Sequence, residues 1–226
     1  MTIHCSGITR EYISKTDSIV ALSSVSLTIQ SALMTIIRGQ SGSGKSTLLN
    51  ICGLIDNNFD GTLIFEKDGI IENFNKVTIT NKISDFRKNK IGYITQDFGL
   101  INFLTVYDNI LLPFHTKPVE KQLIDKVNEL SRMIGIFHLL KRYPESLSGG
   151  EKQRVALCRV FLKGPDILLA DEPTARLDKK NADTVIGYLK ELQKQYNKTV
   201  VIVTHDESVQ GDRVITLKEG EVESII

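Results

Sequence analysis

Leu33 to Ile55 reads LMTIIRGQSGSGKSTLLNICGLI. A short continuous apolar run, Leu33–Ile37, suits a buried strand, and Leu48, Leu49, Cys52 and Ile55 then recur at helical spacing. Between them stands a Gly/Ser-rich turn containing G-x-x-x-x-G-K-[ST], placed after a strand and before a helix as that motif requires. Glycines let the backbone curl so that successive N–H groups point inward as an anion nest. The helix amino terminus adds partial positive charge. Gly39, Ser41, Gly42, Ser43 and Gly44 are therefore the candidate phosphate cradle. Lys45 is placed to reach the β- and γ-phosphates of a nucleotide, Ser46 to set its hydroxyl on Mg²⁺, and Thr47 to touch the α-phosphate. A polar turn without a ligand is the plain alternative, and the strand and helix flanks weaken it.

Outward from this loop, apolar β-rich runs alternate with helical patterns. Ser24–Ile29 alternates with period two, and Thr62–Phe65 and Ile91–Thr95 read as further strands. Asp166–Ala170 (DILLA) and Thr199–Val203 (TVVIV) are the unbroken apolar runs of central parallel strands. Ala182–Tyr196 between them is an amphipathic helix. From Thr105 to about Arg142 the pattern is helical, with Leu123, Val127, Leu130 and Ile134 on one stripe. Arg213–Ile226 reads as two short strands around Glu219-Gly220. This alternation predicts an α/β fold, a mostly parallel sheet with helices on its faces. The helical block between Gln96 and Phe161 interrupts it and is expected to form a lobe of its own.

Composition narrows the function. The 226 residues include 41% hydrophobic and 24% charged residues, the balance of a globular chain with a core. Lys plus Arg is 28 against 27 for Asp plus Glu, so bulk charge does not favour nucleic acid or a membrane surface. The basic stretch Lys82–Lys90 reads as a solvated helix face. No apolar stretch is long enough to cross a bilayer, and Met1–Tyr12 has no secretory signal pattern. Cys5, Cys52 and Cys158 are odd in number and far apart, so small buried hydrophobes are expected, not a disulfide framework. His4, His115, His138 and His205 lack metal-ligand spacing.

The strand DILLA ends in Asp171-Glu172-Pro173. Ligands in open α/β sheets bind at the carboxyl ends of strands. Asp171 is thus placed to hold Mg²⁺, and Glu172 to orient and deprotonate an attacking water. Neither motif separates a kinase, a GTPase, a helicase and a transporter motor.

Leu147 to Arg154, LSGGEKQR, does separate them. Locally, Ser148 and Glu151 form an S-x-x-E capping box ahead of Val155, Leu157, Val160 and Phe161. A capped helix start preceded by glycines is also an anion site. With this segment sited before DILLADEP, nearly the whole chain resembles the ATP-binding-cassette (ABC) ATPases. The resemblance implies a P-loop NTPase of one domain, 1–226: a RecA-like mostly parallel sheet, an N-terminal antiparallel β subdomain, and an inserted helical subdomain at roughly 97–160. It further implies that Tyr12 stacks on adenine, Gln96 contacts Mg²⁺ and the attacking water, and His205 contacts the γ-phosphate. Asp178 falls in the loop that crosses the dimer. Ser148, Gly149 and Gly150 would complete the site of a second copy, so two copies close around two ATP molecules. Two positions depart from the family pattern. Arg176 stands where that crossing loop usually has a small residue, and Ser31-Ala32-Leu33 replaces a common Gly-Glu turn.

The run IGYITQDFGLINFLTVYDNI, LADEPTARLD and the short end are most similar to the macrolide-exporter, lipoprotein-release and antimicrobial-peptide-efflux branch, which also holds the cell-division ATPase. That implies an ATPase on the cytoplasmic face of a membrane, working with a separate permease. The apolar segment Asp97–Leu112 reads largely as core packing of the helical lobe, and its surplus of apolar residues beside Gln96 suits a groove for a short permease helix. A regulatory clamp that binds ATP without transport, as in the cell-division relatives, is the second expectation. DNA-repair and ribosome-associated ABC ATPases carry a coiled coil or a second cassette, and this chain has neither.

Overall fold

The computed structural model describes residues 1–14, 17–114, 120–175 and 177–226. Two sheets organise them. The first has the order β2-β1-β4-β5, from β1 (Thr2–Ile13), β2 (Ser18–Ile29), β4 (Asp60–Lys67) and β5 (Ile70–Phe74), and is antiparallel throughout. The second contains β3 (Met34–Arg38), β6 (Ile91–Ile94), β7 (Ile167–Asp171), β8 (Thr199–Val203), β9 (Arg213–Lys218) and β10 (Glu221–Ile225). Its order is β10-β9-β3-β8-β7-β6, parallel at every pairing except β9 with β10. This is the α/β fold that the alternation predicts, with the N-terminal antiparallel sheet beside it.

The unbroken apolar runs have a simple cause: both faces of the second sheet are buried. Val200 and Ile202 of β8 join one hydrophobic cluster, and Val201 and Val203 join the other. Leu168 and Ala170 of β7 divide from Ile167 and Leu169 in the same way. Period-two geometry sends neighbours to opposite faces, so a strand covered on both sides is apolar at nearly every position, with Thr199 of β8 the polar exception at its start. One face packs on α1 (Lys45–Cys52) and the antiparallel sheet. The other packs on α3 (Val106–Leu111), α4 (Lys121–Met133), α5 (Gly149–Leu162) and α6 (Lys179–Tyr196). The helical block therefore shares its core with this face of the sheet.

Several boundaries differ from the sequence reading. The helix after the phosphate loop stops at Cys52, where Gly53 caps it, three residues short of Ile55. The last long helix begins at Lys179, because Asp178 accepts a hydrogen bond from the Asn181 N–H and so caps it. The 105–142 stretch is broken into α3 and α4. Pro113 follows α3, and Val127 and Leu130 of the predicted stripe are buried on α4. The Lys82–Lys90 stretch lies on α2 (Thr80–Lys90), where Ile83 is buried and Phe86 packs on Phe65 and Phe74 at ring-centroid distances of 4.7 and 4.9 Å. Cys5, Cys52 and Cys158 are buried free thiols. Ala32 adopts φ 57°, the left-handed region that glycine enters without a Cβ penalty. Two bonds hold it there: its N–H donates to Thr199 Oγ1 (3.1 Å), and its carbonyl accepts from Gln193 Nε2 (2.6 Å).

The two sheets are tied at the end remote from the phosphate loop. Asp166 pairs with Lys67 at 2.6 Å and Lys90 at 3.3 Å. Burial opposes its ionisation, but the hydrogen bonds and charges of Lys67 and Lys90 outweigh burial and hold the carboxyl below the usual carboxylate range. A depressed folded-state pKa contributes stability that is complete above the unfolded pKa and is lost as pH falls through the folded one. Asp166→Asn should therefore cost about 1–3 kcal/mol at neutral pH. The gap from the parent chain should begin to narrow below a pH of about 4 and close as the pH falls through the lowered folded-state value. Urea melts at both pH values check this, and a gap that persists in acid contradicts it.

Candidate functional site

The carboxyl ends of four adjacent parallel strands, β3, β8, β7 and β6, deliver the candidate residues in that lateral order. The phosphate loop follows β3, Thr204-His205 follows β8, Asp171-Glu172 closes β7, and Thr95-Gln96 follows β6. The crevice at strand ends is where α/β sheets place ligands.

A cleft of about 480 Å³ lies there, lined by Ser41, Gly42, Gly44, Lys45, Ser46 and Thr47 with Ala21, Glu172 and His205. Gly39 and Ser43 line an adjoining cleft with His205. Two glycines are sterically required. A Cβ on Gly39 would lie 2.2 Å from the Leu217 carbonyl oxygen, and one on Gly44 would lie 2.4 Å from that of Ala21. Gly44 also caps α1 with φ 94° and no side-chain bond, so the first-turn N–H groups of the helix stay available to an anion. Lys45 is buried, and its Nζ donates to the carbonyls of Gly39 (2.9 Å) and Gln40 (2.7 Å), which points the ammonium back over the loop.

Ser46 Oγ donates to Asp171 Oδ1 at 3.0 Å. Burial, with the neighbouring Glu172 charge, raises the Asp171 carboxyl above its ordinary value, although the Ser46 bond and the Lys45 charge partly offset this. A hydroxyl and one carboxylate are hard oxygen donors, the set with which proteins hold Mg²⁺ beside substrate phosphates. Glu172 has φ 49°, a strained value for a residue with a side chain, and its N–H is held by the Val203 carbonyl at 2.9 Å. Its carboxylate meets His205 Nδ1 at 2.7 Å.

Gln96 is exposed on the turn after β6 and does not line the 480 Å³ cleft. Tyr12 brings its hydroxyl within 3.5 Å of Thr47 Oγ1, at the rim of the phosphate loop. Ser148, Gly149 and Gly150 do not line this cleft either. The predicted capping box is formed: Glu151 Oε2 accepts from the Ser148 N–H and Oγ, both at 2.8 Å, and Ser148 Oγ accepts from the Glu151 N–H. Gly150 lies against Asn181, whose Oδ1 would stand 3.0 Å from a Cβ placed there. Arg176 lies outside the described residues.

Four contributing residues carried no signal in the sequence. Ala21 walls the cleft from the antiparallel sheet. Arg10 and Asp56 surround Tyr12. Arg159 of α5 donates to the carbonyls of Phe98 (2.6 Å) and Gly99 (2.7 Å) on the turn after Gln96.

Known proteins resemble this chain over most of its length. The ABC transporter family profile matches residues 22–175. The chain belongs to the ABC transporter family. A putative ABC transporter ATP-binding protein of Mycoplasma pneumoniae is 38% identical over 92% of this chain, which spans 60% of that protein. The bacitracin export ATP-binding protein of Halalkalibacterium halodurans is 34% identical, covering 97% of this chain and 86% of the relative. The macrolide export ATP-binding/permease protein of Pasteurella multocida is 35% identical over 97% of this chain, which spans 33% of its length. The solved dimeric ATP-binding cassette MJ0796, in a post-hydrolysis state with ADP and Pi, superposes with a TM-score of 0.86 at 35% identity, covering 99% of this chain and 97% of that one. This ABC chain is thus an ATP-binding cassette and an ATPase by family. Among its described residues, no helix is long and apolar enough to cross a membrane.

Proposed function

We propose that this chain is the ATP-hydrolysing subunit of an exporter, working as an ATP-closed dimer on the cytoplasmic face of a membrane under a separate permease. One observation carries the dimer: the phosphate loop and the LSGGE helix of one chain do not share a cleft. Each is half of a site, and a twofold pair completes both halves at once. The similarity to a dimeric cassette with ADP and Pi supports this reading.

In this reading Lys45 binds the β- and γ-phosphates and the N–H groups of Gly42–Thr47 cradle them. Tyr12 takes the adenine ring. Ser46 and Asp171, with Gln96, would hold Mg²⁺, which when bound neutralises phosphate charge. Glu172 accepts the proton of the attacking water, and His205 moves from Glu172 to the γ-phosphate. Ser148, Gly149 and Gly150 of the partner copy close over that phosphate, and Asp178 stands at the crossing. Loss of the γ-phosphate removes the contact that favours the closed pair.

The names of the bacitracin and macrolide export relatives support export of a peptide, drug or lipophilic substrate. Leu100, Val106, Ile110 and Leu111 pack into the core, whereas Phe103 is 81% exposed, so it is the side chain of the 97–112 segment offered to a permease.

The test is Ser148→Arg. It should abolish ATP turnover while the isolated chain binds ATP with unaltered affinity, because Ser148 serves the other copy's nucleotide. Lost binding, or unaltered turnover, would overturn the composite site.

A further inference from the structure

We propose that Arg10 and Asp56 are positioning residues for nucleotide recognition: together they fix the Tyr12 ring and leave one of its faces to the base. The proposal rests on the reading of Tyr12 as the adenine platform.

The geometry is specific. Arg10 and Tyr12 alternate on β1, and the Arg10 guanidinium lies 4.1 Å over the Tyr12 ring centroid. Its Nε donates to Asp56 Oδ2 at 2.7 Å, and the Tyr12 hydroxyl donates to the same oxygen at 3.3 Å. The other Asp56 oxygen accepts from the Asn58 N–H at 3.0 Å, so the carboxylate cannot rotate freely. The Arg10 and Asp56 side chains are only 12% and 17% exposed, while Tyr12 remains 41% exposed. One face of the ring is therefore covered by a cation, and a purine can stack only on the other.

The backbone enforces this placement. Arg10 pairs with Leu22 and Glu11 with Val20, so β2 carries an extra residue, Ala21, at this point. Such a bulge re-aims neighbouring side chains and increases local twist. Ala21 is the same residue whose carbonyl abuts Gly44 and which lines the phosphate cleft. Asp56 follows the carboxyl end of α1, with its N–H on the Asn50 carbonyl. The helix that offers its amino terminus to phosphates thus offers, just past its other end, the carboxylate that orients the ring. Base platform and phosphate loop are held at one spacing by one element.

A surface tyrosine without this bracket would have to be immobilised by the nucleotide itself. Ordering such a side chain on binding costs about 2- to 10-fold in affinity. The expected signature is a loss confined to ligands that carry a base. ATP and inorganic tripolyphosphate are to be titrated into the parent chain, Arg10→Gln, Asp56→Asn and Tyr12→Ala. Arg10→Gln should weaken ATP about 2- to 10-fold and raise its KM, with tripolyphosphate affinity and kcat unchanged. Asp56→Asn, which keeps the volume and one acceptor, should show a smaller loss of the same kind. Retained tripolyphosphate binding certifies the fold of each variant.

If Tyr12→Ala lowers the preference for ATP over tripolyphosphate but Arg10→Gln does not, the positioning role is wrong and the Tyr12 reading stands. If Tyr12→Ala leaves that preference unaltered, the reading of Tyr12 fails and the proposal with it. Equal weakening of both ligands by Arg10→Gln would mark a general structural role and also overturn it.

Discussion

Glu172→Gln is expected to bind Mg-ATP, dimerise, and remain closed, with turnover reduced roughly 10²- to 10⁴-fold, the usual contribution of a positioned general base. The amide keeps the size of the carboxylate and its acceptor oxygen, so the cleft is not reshaped. It cannot take a proton from water. It also removes a negative charge from the side chain that His205 contacts at 2.7 Å, and from beside Asp171. Both changes favour the triphosphate over hydrolysis products. Size-exclusion chromatography with light scattering, run with Mg-ATP, should show a persistent dimer. A variant that stays monomeric at saturating nucleotide would contradict the assignment of Glu172, as would one that turns over at the parent rate.

Lys45→Ala should fail earlier, at binding. The ammonium is buried and supported by the Gly39 and Gln40 carbonyls, so its position is set before a nucleotide arrives. Truncating one partner of a buried charged contact costs about 2–5 kcal/mol, or roughly 30- to 5,000-fold in affinity. Titration calorimetry with ATP reads this directly. The two variants separate cleanly, since one binds and stalls whereas the other does not bind. Unchanged affinity in Lys45→Ala would refute the role given to the lysine.

Much of this site was legible in the sequence because its chemistry is local. The glycine loop, Lys45, Ser46 and the Asp171-Glu172 pair sit on strand-to-helix turns whose residue types are dictated by backbone shape and charge. The Ser148–Glu151 capping box was legible for the same reason, and the structure forms it with both reciprocal bonds. The central strands of the second sheet were equally clear, since burial on both faces leaves them almost wholly apolar. What escaped notice depends on contacts distant in sequence. Arg10 meets Asp56 across 46 residues, and Arg159 reaches Phe98 across 61. An arginine on an edge of a strand pattern and one inside a helix look like solvated charges until the fold brings their partners. The strand register that inserts Ala21 has no local marker either. The break between α3 and α4 was missed because the stripe Leu123, Val127, Leu130 and Ile134 lies wholly on the C-terminal side of it, and the helical reading was carried back from there to Thr105 across Pro113.

Arg159 gives the fold a mechanical property. Its two terminal nitrogens grip consecutive carbonyls on the turn that follows Gln96, and the arginine itself belongs to the helix that begins at Gly149. Close packing does not let such a joint stretch. The turn after Gln96 is thereby tied to the same helix whose amino end carries the Ser148–Glu151 capping box. In the proposed dimer, a displacement of that turn would therefore be carried by a rigid link to the half-site that the helix offers to the neighbouring copy.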